Sequence, residues 1–295
     1  MSKRGGFKRD GSTHYSGISR EQQLIHILSN PESVIRREIG RQIGTSSGSV
    51  SGLDFRHVGG TGTKTDAAAY CKDTGSCLYT LSVKNHQSKS GTFDWINTSK
   101  GFPELTECNA ALAQIKADFV SNSVVDMDQI RTRIDRVFSD ILDRIGADSE
   151  FLRRILASIY EGNPDGMVVF RVAKEEVPVE IIYFPKSELR VLREAALGYS
   201  VAEDVNNTPN RIYYLKHKPG TTSAQIMYRS TPDLSVENEC NSTNLRIRFV
   251  LNNGVGAFLG LSTKNKYSVP CIKIQQDGVD ALLDGITNKF TEINM

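Results

Sequence analysis

A mixed α/β fold, of the α+β kind, is predicted by three observations. Helical periodicity dominates residues 19–43 and 104–160, a tight hairpin signal lies between them at 66–84, and short β-branched runs separated by turn residues fill the chain beyond about residue 165. That order suits a mixed central sheet flanked by helices, with a β-rich C-terminal part. It divides the chain into a basic arm (1–17), a core (18–165) and a β-rich region (166–295) that could share that core.

Each element has a local cause. The arm is rich in Gly, Ser, Lys and Arg and has no apolar period, so it reads as exposed. Ser19 is an apt N-cap with Gln22 three residues on, and Leu24, Ile25, Ile27 and Leu28 form a stripe that runs to Asn30 and Pro31. A shorter helix over 33–43 ends in the Gly/Ser-rich run 44–52, read as a flexible loop. Residues 66–71 and 77–84 read as strands joined by the turn Lys72, Asp73, Thr74, Gly75. Helices follow over 104–120 and 127–160, the second striped by Ile130, Ile134, Val137, Phe138, Ile141, Leu142 and Ile145. Strands are expected at 167–172, 179–184, 211–215, 224–228, 244–251 and 269–274.

Composition sets the class. Hydrophobic residues at 39% and charged residues at 24% are ordinary for a globular chain, which excludes fibrous and wholly disordered readings. The net charge of +2 does not by itself announce a nucleic-acid binder. Its distribution says more: residues 1–50 hold eight Lys/Arg against four Asp/Glu, an excess of four, whereas 101–150 hold five against ten, a deficit of five. Such segregation fits one face turned to a polyanion, and equally a solvated surface. The five cysteines have no two-residue spacing and no paired histidines, which suits reduced thiols rather than zinc. No apolar run approaches a membrane span. A cytoplasmic, reducing compartment and no membrane partner are therefore expected.

The chemistry concentrates in residues 59–100. An antiparallel hairpin sets Asp66, at the start of one strand, near the end of the next, where Ser82 and Lys84 share a face. Carboxylate, hydroxyl and amine together suit phosphodiester hydrolysis. A hard cation needs oxygen ligands, supplied here by Asp66 and the backbone carbonyl of Val83. Lys84 would orient the attacking water and offset phosphate charge. The ordinary alternatives are a turn-capping Asp and a solvated edge Lys. The run Gly59, Gly60, Thr61, Gly62 lacks the Gly-Lys-Ser/Thr ending of a phosphate loop and opens no helix, so it is set aside. Trp95, the single tryptophan, reads as a core or interface anchor.

These residues resemble the PD-(D/E)xK nuclease superfamily, most nearly type II restriction endonucleases whose motif runs Lys-x-Asp, Ser-hydrophobic-Lys, then Asn-x-Ser. Here those are Lys64–Thr65–Asp66, Ser82–Val83–Lys84 and Asn97–Thr98–Ser99, with the resemblance covering about residues 18–100. It implies a restriction-endonuclease-like fold and a magnesium-dependent enzyme, with manganese as a substitute, that cuts double-stranded DNA at specific sites. It also implies that Glu21, on the preceding helix, is an acidic metal ligand. Ser82 stands where members carry Glu or Asp, so a second carboxylate must come from Glu21, or in reserve from Asp94 or Glu38. The departure leaves open a nicking, repair or phage-type nuclease, or a DNA-binding protein that keeps the fold without cutting.

DNA contacts are expected from His86 and Gln87 beside the motif, from Arg246 and Arg248 on the polar face of an alternating strand, and from Lys264 and Lys266. Lys216, His217 and Lys218 add further donors. Cutting both strands with one site per chain implies a homodimer.

Overall fold

A computed structural model describes residues 12–44, 52–58, 65–87, 93–98, 102–121, 126–146, 148–160, 164–172, 179–197, 211–230, 241–262, 267–286 and 289–294. Within these the chain is mixed α/β, with one mixed sheet of six strands, one antiparallel sheet of five, and eight helices. It forms two compact units that share the chain unevenly: 1–90, 162–190 and 285–295 make the first, and 91–161 with 191–284 the second. The chain therefore changes unit near residues 90, 161, 190 and 284, not once near 165.

In the first unit, α1 (Ser12–Ser29) and α2 (Val34–Gln42) cover one face of a sheet ordered β1 (Leu53–His57), β2 (Ala67–Cys71), β3 (Cys77–Gln87), β5 (Gly166–Val172), β6 (Val179–Pro185), β11 (Phe290–Asn294). β3 and β5 run parallel and every other pair is antiparallel. The expected turn joins β2 to β3: the Gly75 N–H donates to Cys71 O at 2.8 Å, and Gly75 has φ 68°, a left-handed value that a glycine adopts without a Cβ clash.

Burial of period 3–4 residues holds the layers together. Leu24, Leu28, Ile35 and Ile39 are fully buried and meet Leu81, Val168, Phe170 and Tyr183 of the sheet. α2 is capped twice. Ser33 Oγ accepts from the Arg36 N–H, and Glu292 of β11 accepts from the Val34 N–H at 2.5 Å and from Ser33 Oγ at 3.1 Å. Asp165 ties the start of β5 to β3, its Oδ2 accepting from the Thr80 N–H at 3.0 Å and from Thr80 Oγ1 at 2.9 Å. Tyr79 Oη meets Tyr183 Oη at 2.7 Å beneath it.

In the second unit, α3 (Pro103–Ser121), α4 (Met127–Ile145) and α5 (Ser149–Tyr160) pack on one face of a sheet ordered β4 (Phe93–Thr98), β10 (Pro270–Gln276), β9 (Asn241–Leu251), β8 (Ser223–Ser230), β7 (Arg211–His217). Leu105, Leu112, Ile134, Phe138, Leu142, Phe151, Ile247, Phe249 and Ile274 form its dry interior. α6 (Lys186–Ala196), α7 (Gly254–Phe258) and α8 (Val279–Gly285) complete the set.

Three expectations need correction. The helix read from Ser19 begins at Ser12, so the arm is partly helical and Ser19 is not a cap; propagating a helix costs far less than starting one, and the amphipathic stretch supplies the nucleus. The helix read over 127–160 is two, because Gly146 ends the first and Asp148 Oδ1 accepts from the N–H groups of Glu150 (2.9 Å) and Phe151 (3.0 Å) to start the second. Asp66 lies one residue before its strand. Most of the Gly/Ser run, 45–51, lies outside the described residues, as does 59–64. Among the described residues no helix is long and apolar enough to cross a membrane, and Cys71, Cys77, Cys108 and Cys271 are free thiols.

Candidate functional site

The site forms where β2 gives out. Asp66 is pinned between two strands by its backbone: its N–H donates to Leu81 O at 2.8 Å, and its carbonyl accepts the Val58 N–H at 3.1 Å. With the backbone fixed, the side chain reaches along the strand ends toward β3. Its Oδ2 accepts the Val83 N–H at 2.6 Å and the Ser82 hydroxyl at 3.3 Å. The other oxygen, Oδ1, has no hydrogen-bond partner among the described residues. The hairpin thus brings Asp66, Ser82 and Val83 into contact, and Lys84 close enough for its charge to act on the carboxylate.

Burial pushes the Asp66 carboxyl above its ordinary value. The Val83 N–H, the Lys84 charge, the Ser82 hydroxyl and the His57 charge each pull the other way without cancelling it. A half-buried carboxylate with one oxygen anchored and one open, beside an ammonium group, gains from a cation at the open oxygen. Ser82 is 8% exposed, so its hydroxyl acts as a fixed support.

Glu21 arrives from α1 and bonds through Oε2 to Nε2 of His57, the last residue of β1. His57 therefore stands bonded to one carboxylate and within electrostatic reach of the other. Sequence reasoning missed it. A lone histidine with no spacing signal becomes notable only when a helix 36 residues away in sequence meets its strand.

Among the described residues no three His, Cys, Asp or Glu side chains converge as a ready-made metal cage. Magnesium does not require one, since it keeps several waters and takes one or two carboxylates together with substrate phosphates. Asp66 offers such a carboxylate through Oδ1. Glu21 is engaged with His57, and the reserve ligand Glu38 is buried and bonded to Arg41 and Gln42.

The remaining expected residues scatter. His86 is fully buried in β3, so the phosphate contact expected of it is closed to a partner arriving from solvent. Gln87 ends β3, but its side chain, like those of Asp94 and Trp95, lies outside the described residues, and so do Lys264 and Lys266 entirely. Arg246 and Arg248 do project from β9 opposite the buried Leu245, Ile247 and Phe249; Arg246 pairs with Asp277 at 3.0 Å. His217 is turned inward, its ring nitrogens meeting Asp143 Oδ1 at 2.7 Å and Thr221 O at 3.0 Å, which makes it a brace between α4 and the β7–β8 turn.

The chain matches no protein-family model, no curated protein and no solved structure.

Proposed function

We propose that this chain is a metal-dependent, site-specific endonuclease that hydrolyses the phosphodiester bonds of double-stranded DNA, in the manner of type II restriction enzymes. The observation that carries the reading is the meeting of the Asp66 carboxylate with Ser82, Val83 and Lys84 at one sheet end, with one carboxylate oxygen left open. Asp66 holds the cation, with the Val83 carbonyl as a second oxygen and Glu21 behind His57 as a further acid. Bound magnesium supplies a water of lowered pKa and offsets charge on the phosphoryl oxygens. Lys84 orients that water and faces the charge that builds on the phosphate. Ser82 keeps the carboxylate in register. A homodimer provides one site for each strand.

A second reading has specific support. Ser82 stands where the resemblance leads one to look for a carboxylate, and Glu21 is committed to His57. Both suit a protein that holds DNA without cutting it.

Supercoiled plasmid incubated with the full chain in magnesium, manganese or EDTA separates the two. Discrete linear fragments that require metal are expected, and Asp66→Ala and Lys84→Ala should each lower the rate by about a hundredfold or more. Open circles alone point to a nicking enzyme. Retained binding with no cleavage favours the second reading, and cleavage that survives either substitution removes the assignment of the site.

A further inference from the structure

Glu21 has a support of its own. Glu21, Leu24 and Leu28 follow one another at helical spacing along α1, so Glu21 extends the stripe whose leucines are fully buried against the sheet. On β1, Leu53 and Phe55 face the same layer, and His57 is the next residue of that alternation. The two stripes meet at their ends, where Glu21 Oε2 and His57 Nε2 are bonded. A carboxylate oxygen accepts, so Nε2 is the donor.

Register brings this contact to the sheet end that holds Asp66. His57 stands opposite Ala67, and the next residue, Val58, donates its N–H to Asp66 O at 3.1 Å. His57 is thus fixed beside Asp66 by its backbone and to Glu21 by its ring, and its charge reaches the Asp66 carboxylate. Both carboxylates are prepared alike. Asp66 has Oδ2 anchored and Oδ1 open; Glu21 has Oε2 anchored, and its Oε1 has no hydrogen-bond partner among the described residues.

A brace is the ordinary use of such a histidine, and His217 is one. Its side chain is 5% exposed and both ring nitrogens are bonded within the fold. The His57 side chain is 37% exposed and that of Glu21 18%, so their bond lies near the surface. Leu24 and Leu28 already fasten α1 to the sheet, and partly exposed pairs of this kind contribute little to stability. What the bond does is fix a long side chain. A free glutamate samples many rotamers, whereas one tethered by a single oxygen keeps the other in place.

We propose that His57 is the positioning residue of the site: by holding Oε2 of Glu21 it makes Oε1 a second carboxylate oxygen for the cation at Asp66 Oδ1, a role that rests on the reading of Asp66 as the cation's holder but not on cleavage. The opposite role, in which His57 withholds Glu21 from the cation, predicts changes of the opposite sign.

The test is a titration of the full-length chain with manganese alone, without DNA, followed by the electron paramagnetic resonance of the free ion. His57→Ala should lower manganese affinity about ten- to a hundredfold, the range for residues that orient a metal ligand. His57→Gln, whose amide N–H stands near the place of Nε2, should restore most of it. Because His57 acts through Glu21, adding His57→Ala to Glu21→Ala should cost nothing further. Thermal midpoints in EDTA should stay within about 4 °C of wild type, which separates positioning from misfolding. No manganese binding by wild type, unchanged or tighter binding in His57→Ala, a loss that His57→Gln does not restore, or an additive loss in the double variant would each overturn the proposal. If Asp66→Ala abolishes manganese binding while His57→Ala leaves it intact, the role of His57 falls and the cation site stands. If binding depends on His57 as stated while plasmid stays uncut in magnesium, the role of His57 stands and the cleavage reading falls.

Discussion

Asp66 is where burial and neighbouring charge pull against one another in one side chain. Because burial holds its carboxyl above the ordinary value, the folded chain keeps a proton there over a range of pH in which the unfolded chain has lost it. Across that range stability falls as pH rises, and above it the ionised group remains a fixed cost. Asp66→Asn keeps an oxygen for the Val83 N–H and removes the charge. In EDTA at pH 7 its thermal midpoint should exceed that of wild type by a few degrees, the response of a domain this size to about 1 kcal/mol. The advantage should vanish on acidification to below the ordinary carboxylate range. A lower midpoint at neutral pH would mean that the ionised form is favoured by its surroundings. The residues of this site were legible in the sequence where a single turn brings them together, as it does Asp66, Ser82 and Lys84. His57 was not, because its meaning depends on a helix–strand contact that no local pattern records.

Among the elements, β5 tolerates least change at its first residue. A Cβ on Gly166 would lie 2.8 Å from Tyr183 Cε2, 3.1 Å from Leu81 Cδ2 and 3.2 Å from Phe184 O. Tyr183 cannot swing aside, being fully buried and bonded to Tyr79. Gly166→Ala should therefore lower stability by about 1–3 kcal/mol, read from the urea midpoint at constant m-value. An unchanged midpoint would show that the neighbours can give way. Strands over 166–185 and 211–276 were readable because their β-branched and aromatic runs are bounded by turns. The short strands β1, β4 and β11 were not, since five or six residues of mixed polarity carry little periodicity. α6 did carry a signal, in the spacing of Leu189, Leu192 and Ala196, all buried. The break between α4 and α5 was also written in the chain, as a glycine followed by a capping aspartate.

At the scale of the whole molecule, the interleaving of the two units governs what can be cut away. β5, β6 and β11 make up half of the six-stranded sheet and come from beyond residue 165. A fragment of residues 1–165 keeps the site residues yet loses β5, the parallel partner of β3 that follows directly on the Asp165–Thr80 tie. It should show no cooperative thermal transition by circular dichroism and no metal-dependent cleavage. A sharp transition in that fragment would show that β1, β2 and β3 with their helices suffice. The sequence divides by texture near residue 165, but hydrogen bonding follows the parallel pair β3–β5 across that point, and texture cannot report pairing between distant strands.

The cap that Glu292 places on α2 has a consequence for the order of events during synthesis. The residue that completes this helix, and the strand that closes the edge of its sheet, leave the ribosome after every segment of the second unit. The second unit can therefore finish first, while the first waits with a bare strand edge along β6. A nascent chain stalled before residue 290 would carry the hairpin of Asp66 and Ser82 in an unfinished sheet, so whatever that site does would be withheld until β11 has emerged.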